Sequence, residues 1–383
     1  MSPAEAAERA RVIADEVLFP LAQHTDRAAL VPASNLEALR DSGLFGLQGP
    51  VEAGGIGATH AEARPAFEAV AGGCGATAFV WAQHHGAVRR VVGGDGPARE
   101  AWLPRLCNGS TLAGIGFAYL RRPSPPATVR ATRTRAGWRI DGEAPWITGW
   151  GLIDALVLMA RADDGSVVTV VIESPGEHPA LVAGEPQALA VMGATGTVSL
   201  TVRTLEVDER DVVGVQTDAQ WRRRDRAGSA LPAAAPLGIA DRVIRLLNER
   251  AHDQTLTRPA SALAAELAER RAAADRVAAE VAEVMLRPDD ARAVTPDYTD
   301  GARPGTLGEA ITAGAAERDR GLDLARRATD ALVAATGGRA MSLEHPAQRL
   351  SREATFYLIQ AQTGELRAAS LARMIDPAAA SAR

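Results

Sequence analysis

The repeat of the apolar residues changes twice along this 383-residue chain, and that order excludes most architectures. Residues 4–23 set Ala7, Ala10, Ile13, Val17 and Leu18 on one helical face, and a second helical pattern over 35–40 stops near Gly43. A glycine-rich turn, Gly54-Gly55-Ile56-Gly57, precedes a third helix over 60–71. Residues 76–92 are apolar nearly all round, which predicts a buried helix. Between about 111 and 213 the period shortens to two, with alternation at 129–134, 138–141 and 198–207 and continuous apolar runs at 156–160 and 167–172. Beyond Trp221 long alanine-rich helices are predicted over 226–251, 260–285, 307–335 and 348–374, with a polar loop at 287–304. The expected architecture is mostly α with a central β-barrel domain. Its parts are an N-terminal all-α domain (1–111), a middle β-barrel domain (112–218) and a C-terminal four-helix bundle (219–383).

Composition removes several function classes. A net charge of −5 with mixed signs offers no electrostatic case for nucleic acid or a membrane surface. The chain contains no lysine, so Schiff-base chemistry and a phosphate-loop lysine are absent. No apolar run reaches the 18 residues of a membrane span, and Met1 to Glu5 carries no leader pattern. With two cysteines in apolar neighbourhoods, Cys74 and Cys107, a cytoplasmic address is expected. The seven histidines include no helical metal pair, and no Gly-x-Ser-x-Gly elbow exists, so no metal site is expected.

Four local motifs then fall in a consistent order. They are Gly54-Gly55-Ile56-Gly57; the helical run from Cys74 to His84; Gly142-Glu143-Ala144-Pro145-Trp146-Ile147-Thr148; and Gly337-Gly338 followed by His345-Pro346-Ala347-Gln348-Arg349 and Arg352-Glu353-Ala354. Together with the helix–strand–helix order, they resemble the acyl-CoA dehydrogenase superfamily over nearly the whole chain. The resemblance implies a flavin, FAD or FMN. Trp146 would cover its ring, Ile147 and Thr148 would line its edge, with Thr148 near N5, and Gly337, Gly338 and Thr363 would contribute to its site. An isoalloxazine asks for such a wall, being a flat apolar body with a polar rim.

The departures from the family pattern bear on the reaction. Aligning Arg352-Glu353-Ala354 without a gap sets Ala361 where family members carry the glutamate that removes the thioester α-proton. The alternative seat, counted back from Pro236-Leu237-Gly238, holds Gly228. Neither can abstract a proton, which needs a base within about 3 Å; Glu353, Glu365 and Asp225 are the carboxylates that could stand in. The pyrophosphate-binding Arg-x-x-Phe-Gly run is replaced by residues 251–259, the Thr-Glu-Pro run by 117–123, and the glutamine ahead of the glycine pair by Ala334. These losses suggest FMN, or FAD held loosely.

The pattern resembles a branch of the superfamily that takes reduced flavin from a separate reductase and oxygenates a small molecule. Oxygenation asks for a dry cavity and a hydrogen-bond donor rather than a strong base. His84 is the candidate catalytic donor, with His85, Tyr119, Arg121, Tyr357 and Ala361 as candidate pocket residues; Arg122 joins Arg121 as a possible anion contact. Two other readings stay open: an atypical acyl-CoA or carrier-protein thioester dehydrogenase with FAD, and a non-catalytic subunit paired with an active paralogue. The family usually assembles as a dimer of dimers, so a homo-oligomer is expected.

Overall fold

The computed structural model describes residues 1–121, 128–250, 253–286 and 306–375, and two compact units divide the chain after Asp218. The expected loop at 287–304, Arg122 and residues 251 and 252 lie outside the described residues.

The first unit opens with α1 (Pro3–Ile13), a single π-helical turn, α2 (Phe19–Thr25) and α3 (Ala33–Asp41). The single helix expected over 4–23 is thus interrupted at Ala14–Leu18. α4 (His60–Gly73), α5 (Gly75–Val92) and α6 (Ala98–Cys107) follow. Sequence periodicity had not disclosed α6, whose apolar residues form no strong stripe. Reciprocal capping starts two of these helices: Ser2 with Glu5 for α1 and Thr59 with Glu62 for α4.

The strands are β1 (Ala113–Gly116), β2 (Val129–Arg133), β3 (Gly137–Ile147), β4 (Ala155–Ala162), β5 (Val167–Glu173), β6 (Leu181–Ala183), β7 (Val198–Asp208) and β8 (Val212–Gln216). They form one sheet in the order β6-β7-β3-β2-β4-β5-β8, with β1 beside β4. The sheet stays open, which corrects the expected barrel. Its edges are the three-residue β6 and the five-residue β8, and among the described residues these two do not pair. Alternation along a strand reports one buried face, and an open sheet and a closed barrel share that signature. The apolar runs at β4 and β5 are central strands, almost wholly buried. Val88, Val91, Trp102 and Leu106 from α5 and α6 pack with Ile115, Val157, Val171 and Val213 of the sheet into one core.

The second unit holds α7 (Asp218–Ala230), α8 (Ala234–Asn248), α9 (Gln254–Leu286), α10 (Leu307–Thr336), α11 (Pro346–Phe356) and α12 (Gly364–Ile375). The expected four-helix bundle is corrected to a helical region with six helices among the described residues. Pro232 separates α7 from α8, because a proline ring excludes a helical residue before it. The turn at 357–363 separates α11 from α12. α7 and α10 touch at Gly314, where a Cβ would stand 2.0 Å from the Ala230 carbonyl oxygen. Ala227, Ala230, Val277, Val281 and Ile311 fill the space around that contact.

Candidate functional site

The C-terminal end of β3 departs from regular pairing. The β3–β7 register shifts between Ala144 and Ile147, so Pro145 and Trp146 form a bulge. Pro145 has no N–H to give to a ladder, and Trp146 adopts φ 65°, a conformation that bulky L-residues rarely take. The bulge turns the indole outward, leaving Trp146 54% exposed while Ile147 is fully buried and Thr148 nearly so. Backbone strain of this kind costs on the order of 1–3 kcal/mol and concentrates at functional positions.

Beyond Thr148 the chain is clamped to the loop before β7. The Gly149 and Trp150 N–H groups donate to the carbonyls of Thr195 and Gly196 at 2.8 and 3.0 Å. Thr148, Thr195 and Thr197 are all buried, and their hydroxyls are in hydrogen-bond contact through Thr197 at 3.2 and 2.9 Å. Periodicity did not flag this loop; the Thr195-Gly196-Thr197 run beside an αL Met192 is the signal that could have found it. An exposed aromatic face next to a buried hydroxyl matches the apolar body and polar rim of an isoalloxazine, so these residues fit the flavin that the resemblance implies.

His84, expected as a donor facing a cavity, is instead a clip inside the fold. Its Nε2–H donates to the Phe45 carbonyl at 3.2 Å, and its Nδ1 accepts from the Ala113 N–H at 3.2 Å. Burial lowers its pKa to about 4, so the ring stays neutral and ties α5 to the Leu44–Gly46 turn and β1. His85 is buried too. Its Nε2 meets the Leu44 carbonyl at 3.2 Å, and its ring stands edge-on to Trp81 with centroids 4.6 Å apart. Desolvation pushes its pKa well below the usual histidine range.

Tyr119 is also a core residue rather than a pocket wall. Its hydroxyl faces the carbonyls of Gly116 and Met159 at 3.0 and 2.5 Å, and burial raises the phenol far above its usual range. Arg121 lies over the Phe117 ring at 5.1 Å, as does Arg90, so a cationic patch exists there.

In the second unit, Gly337 ends α10 with φ 66°, and a Cβ at Gly337 or Gly338 would meet nothing within 4 Å. The backbone is therefore approachable at both. The Leu366 N–H donates to Thr363 Oγ1 at 3.3 Å, which makes Thr363 the cap of α12. Tyr357 is buried with its ring edge-on to Phe356. Ala361 adopts φ 52° in the turn between α11 and α12, and Arg318 holds that turn through the Gln360 carbonyl. A small recess beneath it is lined by Ala315, Arg318, Asp319, Leu358, Gln362 and Ser370. Of the stand-in carboxylates, Glu353 accepts from Arg349 at 2.8 and 3.0 Å in the interior and Asp225 is buried; the Glu365 side chain lies outside the described residues.

Residues 4–110 match the acyl-CoA dehydrogenase N-terminal domain, and the chain has the acyl-CoA dehydrogenase fold. Its architecture is that of dibenzothiophene monooxygenase from Paenibacillus sp. A11-2, at TM-score 0.78 and 20% identity over 97% of both chains. It matches butyryl-CoA dehydrogenase from Megasphaera elsdenii at TM-score 0.76 and 19% identity, over 97% of this chain and 98% of that one. By sequence it is 30% identical over 157 residues to (2S)-methylsuccinyl-CoA dehydrogenase of Cereibacter sphaeroides, covering 40% of this chain and 29% of that protein. The aligned stretches span about half or less of the curated relatives' own lengths. No helix among the described residues is long and apolar enough to cross a membrane.

Proposed function

We propose that this chain is a flavin-dependent oxidoreductase that oxygenates a small organic substrate with reduced flavin and O2. The observation that carries the reading is the side chain at 361: a methyl group on a left-handed turn, at the position the resemblance assigns to the proton-abstracting glutamate. A thioester α-proton needs a basic atom within about 3 Å. Glu353, one of the carboxylates that could stand in, is held by Arg349 inside the fold. The likeness to a monooxygenase at TM-score 0.78 supports the same reading.

Trp146 would cover one face of the ring, and Thr148 would meet its edge. Gly337, Gly338 and Thr363 are proposed contacts to the rest of the cofactor, which is FMN or FAD. The FMN-bound form of the Paenibacillus monooxygenase matches this chain at TM-score 0.78, which favours FMN. Bound reduced flavin supplies the two electrons that oxygenation consumes. One oxygen atom enters the substrate, and the other leaves as water with two protons. A separate reductase would return the flavin to its reduced form, and assembly into a homo-oligomer is part of the proposal.

Thioester dehydrogenation is the second reading, favoured by the 30% identity to a methylsuccinyl-CoA dehydrogenase. Anaerobic titration of the purified chain with oxidised and reduced FMN and FAD separates the two, followed by oxygen-electrode assays of candidate aromatic substrates. Oxygen uptake that depends on reduced flavin and substrate is expected. Tightly bound oxidised FAD, bleached anaerobically by an acyl-CoA alone, would sink the oxygenase reading.

A further inference from the structure

Three buried hydroxyls stand in a row behind the Trp146 bulge. Thr195 Oγ1 lies 2.7 Å from the Met192 carbonyl oxygen, Thr197 Oγ1 lies 2.9 Å from Thr195 Oγ1, and Thr148 Oγ1 lies 3.2 Å from Thr197 Oγ1. Distance alone leaves the last two bonds undirected, but counting protons directs them. Each hydroxyl has one proton to donate and two lone pairs. A carbonyl can only accept, so the Thr195 proton points to Met192. The contact between Thr195 and Thr197 must then carry the Thr197 proton, and the contact between Thr197 and Thr148 the Thr148 proton. Every proton in the row points toward Met192, which leaves Thr148 Oγ1 with a lone pair to offer and nothing to donate.

The surrounding backbone holds this row in place. Met192 sits at φ 62° and Gly196 at φ 56°, and a Cβ on Gly196 would come 2.5 Å from the Trp150 carbonyl oxygen. With the two backbone bonds from Gly149 and Trp150, the loop has little freedom to turn its hydroxyls over.

We propose that Thr195 and Thr197 are positioning residues that fix Thr148 as a hydrogen-bond acceptor, so that the chain selects reduced over oxidised flavin. The inference rests on the flavin reading above, with Thr148 at the N5 edge. Reduced flavin carries an N–H at N5 and matches an acceptor. Oxidised flavin has a lone pair there and would face another lone pair. An oxygenase supplied by a separate reductase needs this discrimination, because it must capture reduced flavin in the presence of the oxidised product and then release that product.

The test is the ratio of dissociation constants, oxidised over reduced, measured anaerobically for the full chain with FMN and with FAD. Wild type is expected to favour the reduced form by about tenfold, which raises the bound flavin's two-electron potential by about 30 mV over free flavin. Thr197→Val frees the Thr148 proton, and Thr195→Val lets the Thr197 proton turn toward Thr148 and release it. Each substitution should lower the ratio at least threefold, chiefly through tighter binding of oxidised flavin, on the order of one hydrogen bond's worth. Thr197→Ser keeps the hydroxyl and should keep the wild-type ratio. An unchanged ratio in both valine variants overturns the relay and leaves the flavin reading standing. Wild type that binds neither form overturns the flavin reading itself. Should the valine variants not fold, a wild-type-bound potential equal to or below that of free flavin overturns the relay without them.

Discussion

Arg270 on α9 and Glu317 on α10 meet in the interior of the second unit, with Arg270 Nη1 at 3.1 and 2.8 Å from the two carboxylate oxygens. Both residues are buried, and burial pushes the Glu317 carboxyl above its usual range despite the attraction of Arg270. Desolvation thus outweighs the ion pair at this point, and the pair is needed mainly because each member would be worse alone. Arg270→Ala is expected to cost about 1–3 kcal/mol at neutral pH, since Glu317 keeps Arg320 at 3.4 Å, whereas Arg270→Met combined with Glu317→Leu should cost less. Lowering the pH should restore part of the Arg270→Ala loss. A carboxyl with a raised folded pKa favours folding below its ordinary pKa, and that benefit disappears as pH rises through the folded value. Urea denaturation of the three proteins at pH 7 and pH 5 measures all of this. Equal losses for the single and double variants would refute the argument.

Local pattern carried the helix–sheet–helix order and the Trp146-Ile147-Thr148 edge, because periodicity and a short motif depend on neighbours in sequence. What it missed depends on distant partners. Closure of the sheet turned on whether β6 and β8 pair, and neither strand's alternation encodes its partner. His84 looked like a donor at the end of an apolar helix. Its two bonds go to residues 39 and 29 positions away, and no motif announces them. The hydroxyl row spans 49 positions between Thr148 and Thr197, so its proton direction could be read only from coordinates. Pro232 should have divided the helix expected over 226–251, and the alanine-rich pattern on either side masked it.

The two adjacent histidines predict how the first unit responds to acid. In the folded chain His84 titrates at about 4 instead of 6.5, and His85 is also held well below its usual range, because burial disfavours the charged ring. Between those values the unfolded chain binds protons that the folded chain does not, so stability falls as pH drops from about 6.5 toward 4. His84 alone corresponds to about 3 kcal/mol across that window. His84→Phe should be less stable at pH 7, since it strands the Phe45 carbonyl and the Ala113 N–H, yet lose less on acidification. Thermal melts at pH 7, 6 and 5 give the comparison; parallel pH profiles for wild type and variant would contradict it.

Tyr119 predicts a loss of stability without a change in binding. Its hydroxyl is the donor between two buried carbonyls, those of Gly116 and Met159. Tyr119→Phe keeps the packing and removes that donor, for an expected cost of about 1–3 kcal/mol. Denaturant midpoints should fall while flavin affinity stays within about twofold, as expected for a residue that reaches no ligand. A selective loss of flavin affinity with unchanged stability would put Tyr119 back in the pocket.

Trp146 separates strain from function most directly. Its φ of 65° is costly for a tryptophan and free for glycine, and its ring is more than half exposed, so little packing is lost on removal. Trp146→Gly is therefore expected to match or exceed wild-type stability, by up to about 1 kcal/mol, while Trp146→Ala retains the strained backbone and gains nothing. If the indole is the wall of the flavin site, both variants lose flavin affinity by at least about tenfold, the scale expected from losing an aromatic face. Chemical denaturation and fluorescence titration with reduced FMN report the two quantities independently. A glycine variant that is destabilised would show that the bulge is held by the indole's packing, and one that binds flavin as wild type does would remove Trp146 from the site.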